Sequence, residues 1–225
     1  MKLFKTNKTA LRFSNNASQF LNGLTSNTID SPQNAFLNIH GRIIATFDQL
    51  KLSDDVVVIC VEAPFVKAAL DHIDRFAKLS GVKIEQLEHI VYYQLDSESE
   101  EFSDDDFVIK QKKGRLICSK NKMDVNVPCE EFTLFRLKNN YPAHGVDYTD
   151  EFILNVSEDD FVSFTKGCFL GQEPISKVHH RSKPSWKLVV KRQDECSSEE
   201  KEKMTSKALD PATGHLLGFV FMKNA

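Results

Sequence analysis

The most informative stretch of the chain reads Lys166-Gly167-Cys168-Phe169-Leu170-Gly171-Gln172-Glu173. It places a thiol, a cation, an amide and a carboxylate around two glycines, which is more typical of a functional site than of a packing element. The glycines let the backbone turn sharply and leave the Cys168 sulfur less screened, while Lys166 favours the thiolate electrostatically. The stretch therefore predicts an exposed, reactive thiol.

A structural alternative follows from the same residues. Gly167 and Gly171 would punctuate a loop that leads into a helix, and Gln172 and Glu173 would cap the first turn of that helix. Cys168 would then be a small buried hydrophobic residue.

Resemblance to a known family favours the site. With its lead-in Val162-Ser163-Phe164-Thr165, the stretch resembles the Lys-Gly-Cys-aromatic-x-Gly-Gln-Glu signature of the YgfZ family, folate-binding relatives of the glycine cleavage T protein. Three further blocks are similar to family segments and come in family order between Ala10 and about Val190. They read Phe20-Leu21-Asn22-Gly23-Leu24-Thr25-Ser26-Asn27, then Ala35-Phe36-Leu37-Asn38-Ile39-His40-Gly41-Arg42-Ile43, and Phe135-Arg136-Leu137 followed by Tyr141-Pro142-Ala143-His144-Gly145-Val146-Asp147.

The resemblance implies an α+β fold like that of the glycine cleavage T protein. In that fold, ferredoxin-like α/β subdomains surround a central folate cleft, and here a short, reduced C-terminal β-barrel would follow. The implied division is an N-terminal α+β region at 1–125, a second α+β segment with the signature at 126–185, and a C-terminal β region at 186–225.

The implied cofactor is tetrahydrofolate or a derivative. A folate site needs an apolar slot and polar edge groups for the flat pterin, and cations for the carboxylate tail. The candidates for the slot are Phe169, Tyr141 and Tyr148. The candidate cofactor-binding residues are Asn27, Arg42, Asp147, Gln172, Glu173 and Arg181, with Cys168 as the functional thiol and Lys166 beside it.

Some positions depart from the family pattern. The segment 150–155 lacks a clear Pro-x-Glu, and because an acid from this region can contact the pterin in folate-using relatives, Glu151 is a possible stand-in. Asn139-Asn140 and Ser182 stand where relatives often have glycine.

Composition and cysteine spacing exclude several classes. The chain has 225 residues, 41% of them hydrophobic, and a formal charge of -3. No apolar run approaches the ~20 residues that cross a bilayer, and the N-terminal stretch lacks the apolar centre of a signal peptide. We therefore predict a cytoplasmic protein without a membrane partner. The five cysteines are widely spaced, so no disulfide framework, zinc site, other metal site or permanent iron-sulfur cluster is expected.

Periodicity predicts alternating strands and helices, typical of an α+β sheet with helices on one face. We expect helices at Ala17–Leu24, from Pro64 to Gly81 and at Glu130–Leu137. We expect a hairpin at Ala35–Leu52 that turns at His40-Gly41, and strands at Asp55–Glu62, Lys83–Asp96, Phe107–Cys118 with a Lys113-Gly114 turn, Trp186–Arg192 and Gly214–Met222.

Two charged stretches stand out. The acidic run from Asp96 to Asp106 is interpreted as a solvated loop. The basic stretch at 177–192 contains Lys177, Arg181, Lys183, Lys187, Lys191 and Arg192 and could attract a folate tail or an RNA backbone. The alternative is that these cations point outward along the Trp186 strand.

Three functions compete. The resemblance implies an accessory factor, rather than a classical enzyme, that binds tetrahydrofolate and supports assembly or repair of iron-sulfur client proteins, including tRNA-modifying enzymes, with Cys168 as its thiol. The alternatives are a folate-dependent aminomethyltransferase and a non-enzymatic RNA or protein adaptor. A cysteine hydrolase using Cys168 and His179 is a minor hypothesis, because proximity in sequence does not establish hydrogen-bond reach.

Overall fold

The computed structural model describes residues 1–96, 102–103 and 105–224. Most of the acidic run interpreted as a loop, residues 97–101 and 104, lies outside the described residues. The described chain mixes α-helices and β-strands and contains three antiparallel sheets. The α+β class is confirmed, and the strands that periodicity placed in one sheet up to Cys118 divide between two sheets.

The central sheet has five strands in the order β3-β4-β5-β2-β6. They are β2 (Lys8–Ser14), β3 (Gln33–Leu37), β4 (Ile43–Lys51), β5 (Val56–Glu62) and β6 (Lys83–Gln86). The predicted hairpin is β3 and β4, which pair from Gln33 with Asp48 to Leu37 with Ile43.

Two helices cover one face of this sheet. They are α1 (Ala17–Leu24) and α2 (Val66–Ser80), the latter preceded by a 3-10 turn at Ala63–Phe65. Alternation along β2 sends Leu11 and Phe13 toward these helices, where they join Ile73 in one core cluster. Gly81 ends α2 with a left-handed φ of 72°. Both predicted helices are confirmed.

The second sheet has the order β1-β7-β9-β8. Its strands are β1 (Leu3–Lys5), β7 (Ile90–Gln94), β8 (Phe107–Lys110) and β9 (Arg115–Ser119). The single strand predicted for Lys83–Asp96 is wrong, because β6 and β7 belong to different sheets. Leu87 donates its N–H to the Ala10 carbonyl at 2.9 Å and ends the pairing with β2, after which the chain crosses to the other sheet.

The second sheet packs on the face of the central sheet opposite to the helices. Ala10 and Cys60 of the central sheet contact Val91, Leu116 and Cys118 in one buried cluster. The central sheet is therefore covered on both faces, and this is why β5 is apolar at almost every position.

The rest of the chain forms helices and a third sheet. The helices are α3 (Cys129–Lys138), α4 (Ile153–Val156), α5 (Glu158–Phe161), α6 (Gln172–Arg181) and α7 (Ser198–Lys203). The sheet has the order β10-β12-β11, with β10 (Trp186–Arg192), β11 (Thr205–Asp210) and β12 (His215–Lys223). One buried cluster joins Leu37, Ile175, Leu188 and Phe219, so this region packs on the β3-β4 hairpin. The domain boundaries and the reduced barrel stay predictions.

None of the helices in the described part of the chain combines the length and the apolar character needed to cross a membrane.

Candidate functional site

A cavity of about 320 Å³ opens where the central sheet, the second sheet and α3 meet. We call it the central cavity. Its lining comes from six strands or their ends, from α3, from the irregular segment 141–148 and from Phe161 of α5. Its polar members include Thr6, Lys8, Gln33, Thr46, Asp48, Glu62, Arg136 and His144, its aromatic members include Tyr93, Tyr141 and Tyr148, and Cys129 also lines it.

A buried group of three charges lines the cavity. Lys8 Nζ lies 3.0 Å from Asp48 Oδ2 and 2.9 Å from Glu62 Oε1, and the side chains are 10%, 2% and 19% exposed. Asp48 Oδ1 also accepts a hydrogen bond from Gln111 Nε2 at 3.1 Å. One cation between two carboxylates leaves a net charge of -1, so the group favours a ligand that offers N–H donors or positive charge.

Sheet register brings these residues together. In antiparallel pairs, directly opposed residues point to the same face, and alternate residues along a strand share a face. Lys8 is paired with Glu62, and Asp48 with Cys60, which lies two residues before Glu62. Three distant segments of sequence therefore converge on the face that meets the second sheet.

Burial and charge pairing shift the titration of this group. Burial alone lowers the pKa of Lys8, but the Asp48 and Glu62 carboxylates outweigh it and raise the pKa well above the usual range. Burial raises the pKa of the Asp48 carboxyl, and Lys8 opposes that shift. Lys8 is thus a fixed cation in the cavity lining.

An aromatic wall stands beside the charges. The His144 ring stacks on Phe65, with ring centroids 3.6 Å apart, and lies 5.3 Å from the Tyr148 ring. The Thr46 N–H donates to His144 Nδ1 at 3.5 Å, and the Thr46 and Tyr148 hydroxyls lie 2.8 Å apart. Burial lowers the pKa of His144 to about 4, so the imidazole is neutral near pH 7. The wall is flat and uncharged.

Asp147, a predicted cofactor-binding residue, holds the segment 141–148 in place. Its carboxylate forms a 2.7 Å ion pair with Arg136 and accepts hydrogen bonds from the Ala143 N–H, Thr205 and Ser206. Its side chain has no exposed surface, whereas Arg136 lines the cavity. Asp147 therefore anchors Arg136 and lies behind the cavity lining.

The signature segment, residues 166–173, lies outside the cavity lining. Cys168 is exposed, and Gln172 and Glu173 begin α6. Gly171 has a φ of 84°, and a Cβ there would overlap the Asn38 carbonyl oxygen in the hairpin turn. Only glycine fits both constraints, so this residue fixes the segment against the β3-β4 hairpin. The loop of the structural alternative is present, but Cys168 is not buried.

Lys166 and Asn27 lie together at the junction of this segment with the central sheet. Lys166 Nζ donates to the carbonyls of Thr25 and Asn27 at 2.6 and 2.7 Å and lies 5.3 Å from the Phe169 ring centroid. Burial lowers the pKa of Lys166 to about 8. The Lys166 ammonium group therefore ties the signature segment to the turn after α1.

Other predicted residues lie apart from the central cavity. Arg42 donates to Asp150 Oδ1 at 3.0 Å and, with Glu151 and Ser182, lines a second, shallow cavity of about 490 Å³. Arg181 is the last residue of α6 and is exposed. Of the three slot candidates, Tyr141 and Tyr148 line the central cavity, but Phe169 is buried in the core below the signature segment. Phe169 therefore does not line the central cavity.

Sequence reasoning missed the charges of the central cavity. Lys8, Asp48 and Glu62 belong to no motif, and their proximity depends on strand register. The signal that could have found them is Asp48 itself, the one acid in the predicted hairpin Ala35–Leu52.

Part of the basic stretch is neutralised by neighbouring acids. Lys191 pairs with Glu200 at 2.9 Å, and Arg192 pairs with Asp194. His179 Nδ1 lies 3.0 Å from Glu158 Oε1. Within the described residues, no group of three or more His, Cys, Asp and Glu side chains is placed to hold a metal ion.

Comparisons with known proteins identify the fold. No family model matches the sequence, and no curated protein matches it either. Among solved structures, the chain is similar to the glycine cleavage system aminomethyltransferase T from Bartonella henselae, with a TM-score of 0.72 and 14% sequence identity. The match covers 99% of this chain and 78% of that protein. The chain therefore has the fold of glycine cleavage aminomethyltransferase T.

Proposed function

We propose that this protein is a tetrahydrofolate-binding accessory factor that supports assembly or repair of iron-sulfur proteins, including cluster-dependent tRNA-modifying enzymes. The observation that carries the proposal is the central cavity, which combines flat aromatic walls with buried carboxylates in a chain with the aminomethyltransferase T fold. The sequence signature around Cys168 supports the accessory role.

The residues of the central cavity suit a pterin. A pterin is flat, and one edge carries an amino group and a ring N–H, which together pair with a carboxylate. Tyr141 and Tyr148 supply the apolar wall, and Glu62 or Asp48 supplies the carboxylate. The cavity volume lies at the low end of the range for small-molecule sites, which suits the ring system.

In this proposal the acid that contacts the pterin is Glu62, in place of Glu151, the candidate from the sequence. Glu151 Oε1 accepts hydrogen bonds from the Phe152 N–H at 2.8 Å and from Asn155 Nδ2 at 3.0 Å, and the residue lines the second cavity. Glu62 lines the central cavity, is 19% exposed and pairs with Lys8 at 2.9 Å. We therefore assign pterin recognition to Glu62.

The Cys168 thiol would act on clients, separately from the folate. It is exposed on the signature segment and is not part of the cavity lining. Gly171 and Lys166 hold this segment on the central sheet, so the thiol is presented on a fixed support. A client protein can reach it without opening the cavity.

The test is client activity in cells whose own copy is replaced by a variant. Wild-type protein should raise the activity of a cluster-dependent tRNA-modifying enzyme above its level in cells without the protein. We expect Cys168→Ser to abolish this increase. Cys129→Ser is the comparison variant, because Cys129 is also exposed but lies outside the signature. Cys129 lines the central cavity, so the tetrahydrofolate affinity of this variant is measured beside its client activity. Full client activity with Cys168→Ser would refute the proposed role of the thiol.

An aminomethyltransferase is the second candidate, and the fold itself favours it. It would transfer a one-carbon unit to tetrahydrofolate in the central cavity. The test is turnover of an aminomethyl donor by purified protein in the presence of tetrahydrofolate. Equal turnover by wild type and by Cys168→Ser would favour this enzyme over the accessory factor. The RNA or protein adaptor loses support from the pairing of Lys191 and Arg192 with acids, and steeply salt-dependent RNA binding would restore it.

A further inference from the structure

Two cysteines meet in the layer between the central and second sheets. Cys60 on β5 and Cys118 on β9 are both fully buried, and their Sγ atoms lie 3.1 Å apart. They are 58 positions apart in sequence. The register partners of Cys60 are Ala10 and Asp48, and those of Cys118 are Val91 and Phe107. The two thiols therefore face each other in a mainly apolar layer that borders the charged group of the central cavity.

The pair is close to bonding geometry. A disulfide has a sulfur-sulfur distance of about 2.05 Å, so sulfurs that are 3.1 Å apart need to approach by only about 1 Å. The hydrogen bond to Cys118 and burial together raise the pKa of the Cys60 thiol well above its usual value. Cys60 is therefore held as a thiol while the protein stays closed, and exchange at the fully buried pair requires a transient separation of the sheets.

We propose that Cys60 and Cys118 are an oxidative modification site, which forms an intramolecular disulfide by exchange with a small-molecule disulfide such as oxidised glutathione. One cysteine loses its proton and attacks the glutathione disulfide, which releases one glutathione thiol and leaves a mixed disulfide. The second cysteine loses its proton and attacks the protein sulfur of that mixed disulfide, which releases the second glutathione. The two protein thiols are oxidised by two electrons, and one glutathione disulfide is reduced to two thiols.

The bond would link two walls of the central cavity. Glu62, which lines the cavity, lies two residues after Cys60 on β5. Tyr93, which also lines the cavity, lies two residues after Val91, a register partner of Cys118. A covalent bond between β5 and β9 therefore fixes the spacing of the two sheets beside the cavity. This inference does not depend on folate being the ligand.

The other cysteines are placed differently. Cys129 and Cys168 are exposed, and Cys196 lies in the C-terminal region, where its Sγ donates to the Arg192 carbonyl at 3.2 Å. They can be replaced without touching the pair. The test protein is thus the triple variant Cys129→Ser, Cys168→Ser, Cys196→Ala, with only Cys60 and Cys118 left.

The experiment refolds this triple variant from denaturant in a glutathione buffer with excess oxidised glutathione, so that burial in the folded state does not block access. We expect intact-mass spectrometry to show the loss of two hydrogens, and peptide mapping to recover a peptide that joins Cys60 to Cys118. The oxidised protein should melt roughly 5–10 °C higher than the reduced one, and dithiothreitol should reverse the shift. The same variant with Cys60→Ala or Cys118→Ala added should show neither change.

Two results would overturn the proposal. One is refolded protein that carries two alkylatable thiols after oxidation. The other is protein that carries glutathione on Cys60 or Cys118 but no bond between them. Treatment of folded protein with the same buffer then gives the rate of opening of the two sheets, since exchange of fully buried thiols waits for that opening.

Discussion

The central cavity takes its lining from residues spread between Phe4 and Phe161, whereas the signature segment is one run of eight residues. The cavity charges are buried and paired, and they depend on the register of three strands. Cys168 is exposed and depends on the turn that Gly171 allows. This difference supports the proposed separation of two functions, in which the cavity would bind a cofactor and the segment would contact other proteins.

The largest expected effect is in the cavity. Lys8→Met leaves Asp48 and Glu62 facing each other without the shared cation, so we expect a loss of about 3–5 kcal/mol in the free energy of unfolding. Denaturant titration measures it. Lys83→Met, at an exposed position on β6, is the control and should stay within about 0.5 kcal/mol of wild type. A loss below about 1 kcal/mol for Lys8→Met would mean that the buried charges are not a paired unit.

The signature segment should respond most strongly at its glycine. Gly171→Ala adds a Cβ against the Asn38 carbonyl at a φ of 84°, and we expect a loss of about 3 kcal/mol. Gly81→Ala separates the cost of the left-handed backbone from the cost of the steric overlap. Gly81 has a φ of 72°, but nothing lies within 4 Å of the added Cβ. We expect about 1 kcal/mol there. Equal losses for both variants would show that the contact with the hairpin does not hold the segment.

The pH dependence of stability should come from the cavity wall. His144 has a folded pKa of about 4, below its usual 6.5, so the unfolded chain takes up the proton first as the pH falls. Burial of the neutral imidazole therefore carries no protonation penalty well above pH 6.5, and the free energy of unfolding falls by about 2.5 kcal/mol between pH 6.5 and pH 4. The free energy of unfolding of His144→Gln, measured across this pH range, should lack this decrease. The exposed His40→Gln should keep it, and a slope unchanged in His144→Gln would contradict the neutral imidazole.

The smallest expected effect on folding is at the thiol. Cys168→Ser should change the free energy of unfolding by less than about 0.5 kcal/mol, because the side chain is exposed. It should also leave tetrahydrofolate affinity within about twofold of wild type. Denaturant titration of the purified variant measures the free energy of unfolding, and isothermal titration calorimetry measures the affinity for tetrahydrofolate. A tenfold loss of affinity would show that Cys168 contributes to tetrahydrofolate binding, and would contradict the proposed separation of the central cavity from the signature segment.

Local signals predicted much of the fold. The bounds of α1 match the prediction at both ends, and Gly81 ends α2 as its position indicates. The split of Lys83–Asp96 between two sheets was missed, because sheet membership depends on distant partners such as Ala10. Dependence on distant partners also explains which residues of the candidate site could be predicted from the sequence. Cys168 stands in a contiguous motif, whereas Lys8 and Glu62 meet only through the pairing of β2 with β5.

The most direct measurement is an anaerobic calorimetric titration of the purified protein with tetrahydrofolate, run in parallel on Glu62→Gln and on Glu85→Gln, an exposed control on β6. We predict micromolar binding to wild type and to Glu85→Gln, and at least about tenfold weaker binding to Glu62→Gln, as expected when one charge-assisted hydrogen-bond pair is lost. Thermal melts of the three proteins establish that each is folded. Absence of binding to folded wild type, or equal binding to all three, would contradict a pterin site at Glu62 in the central cavity.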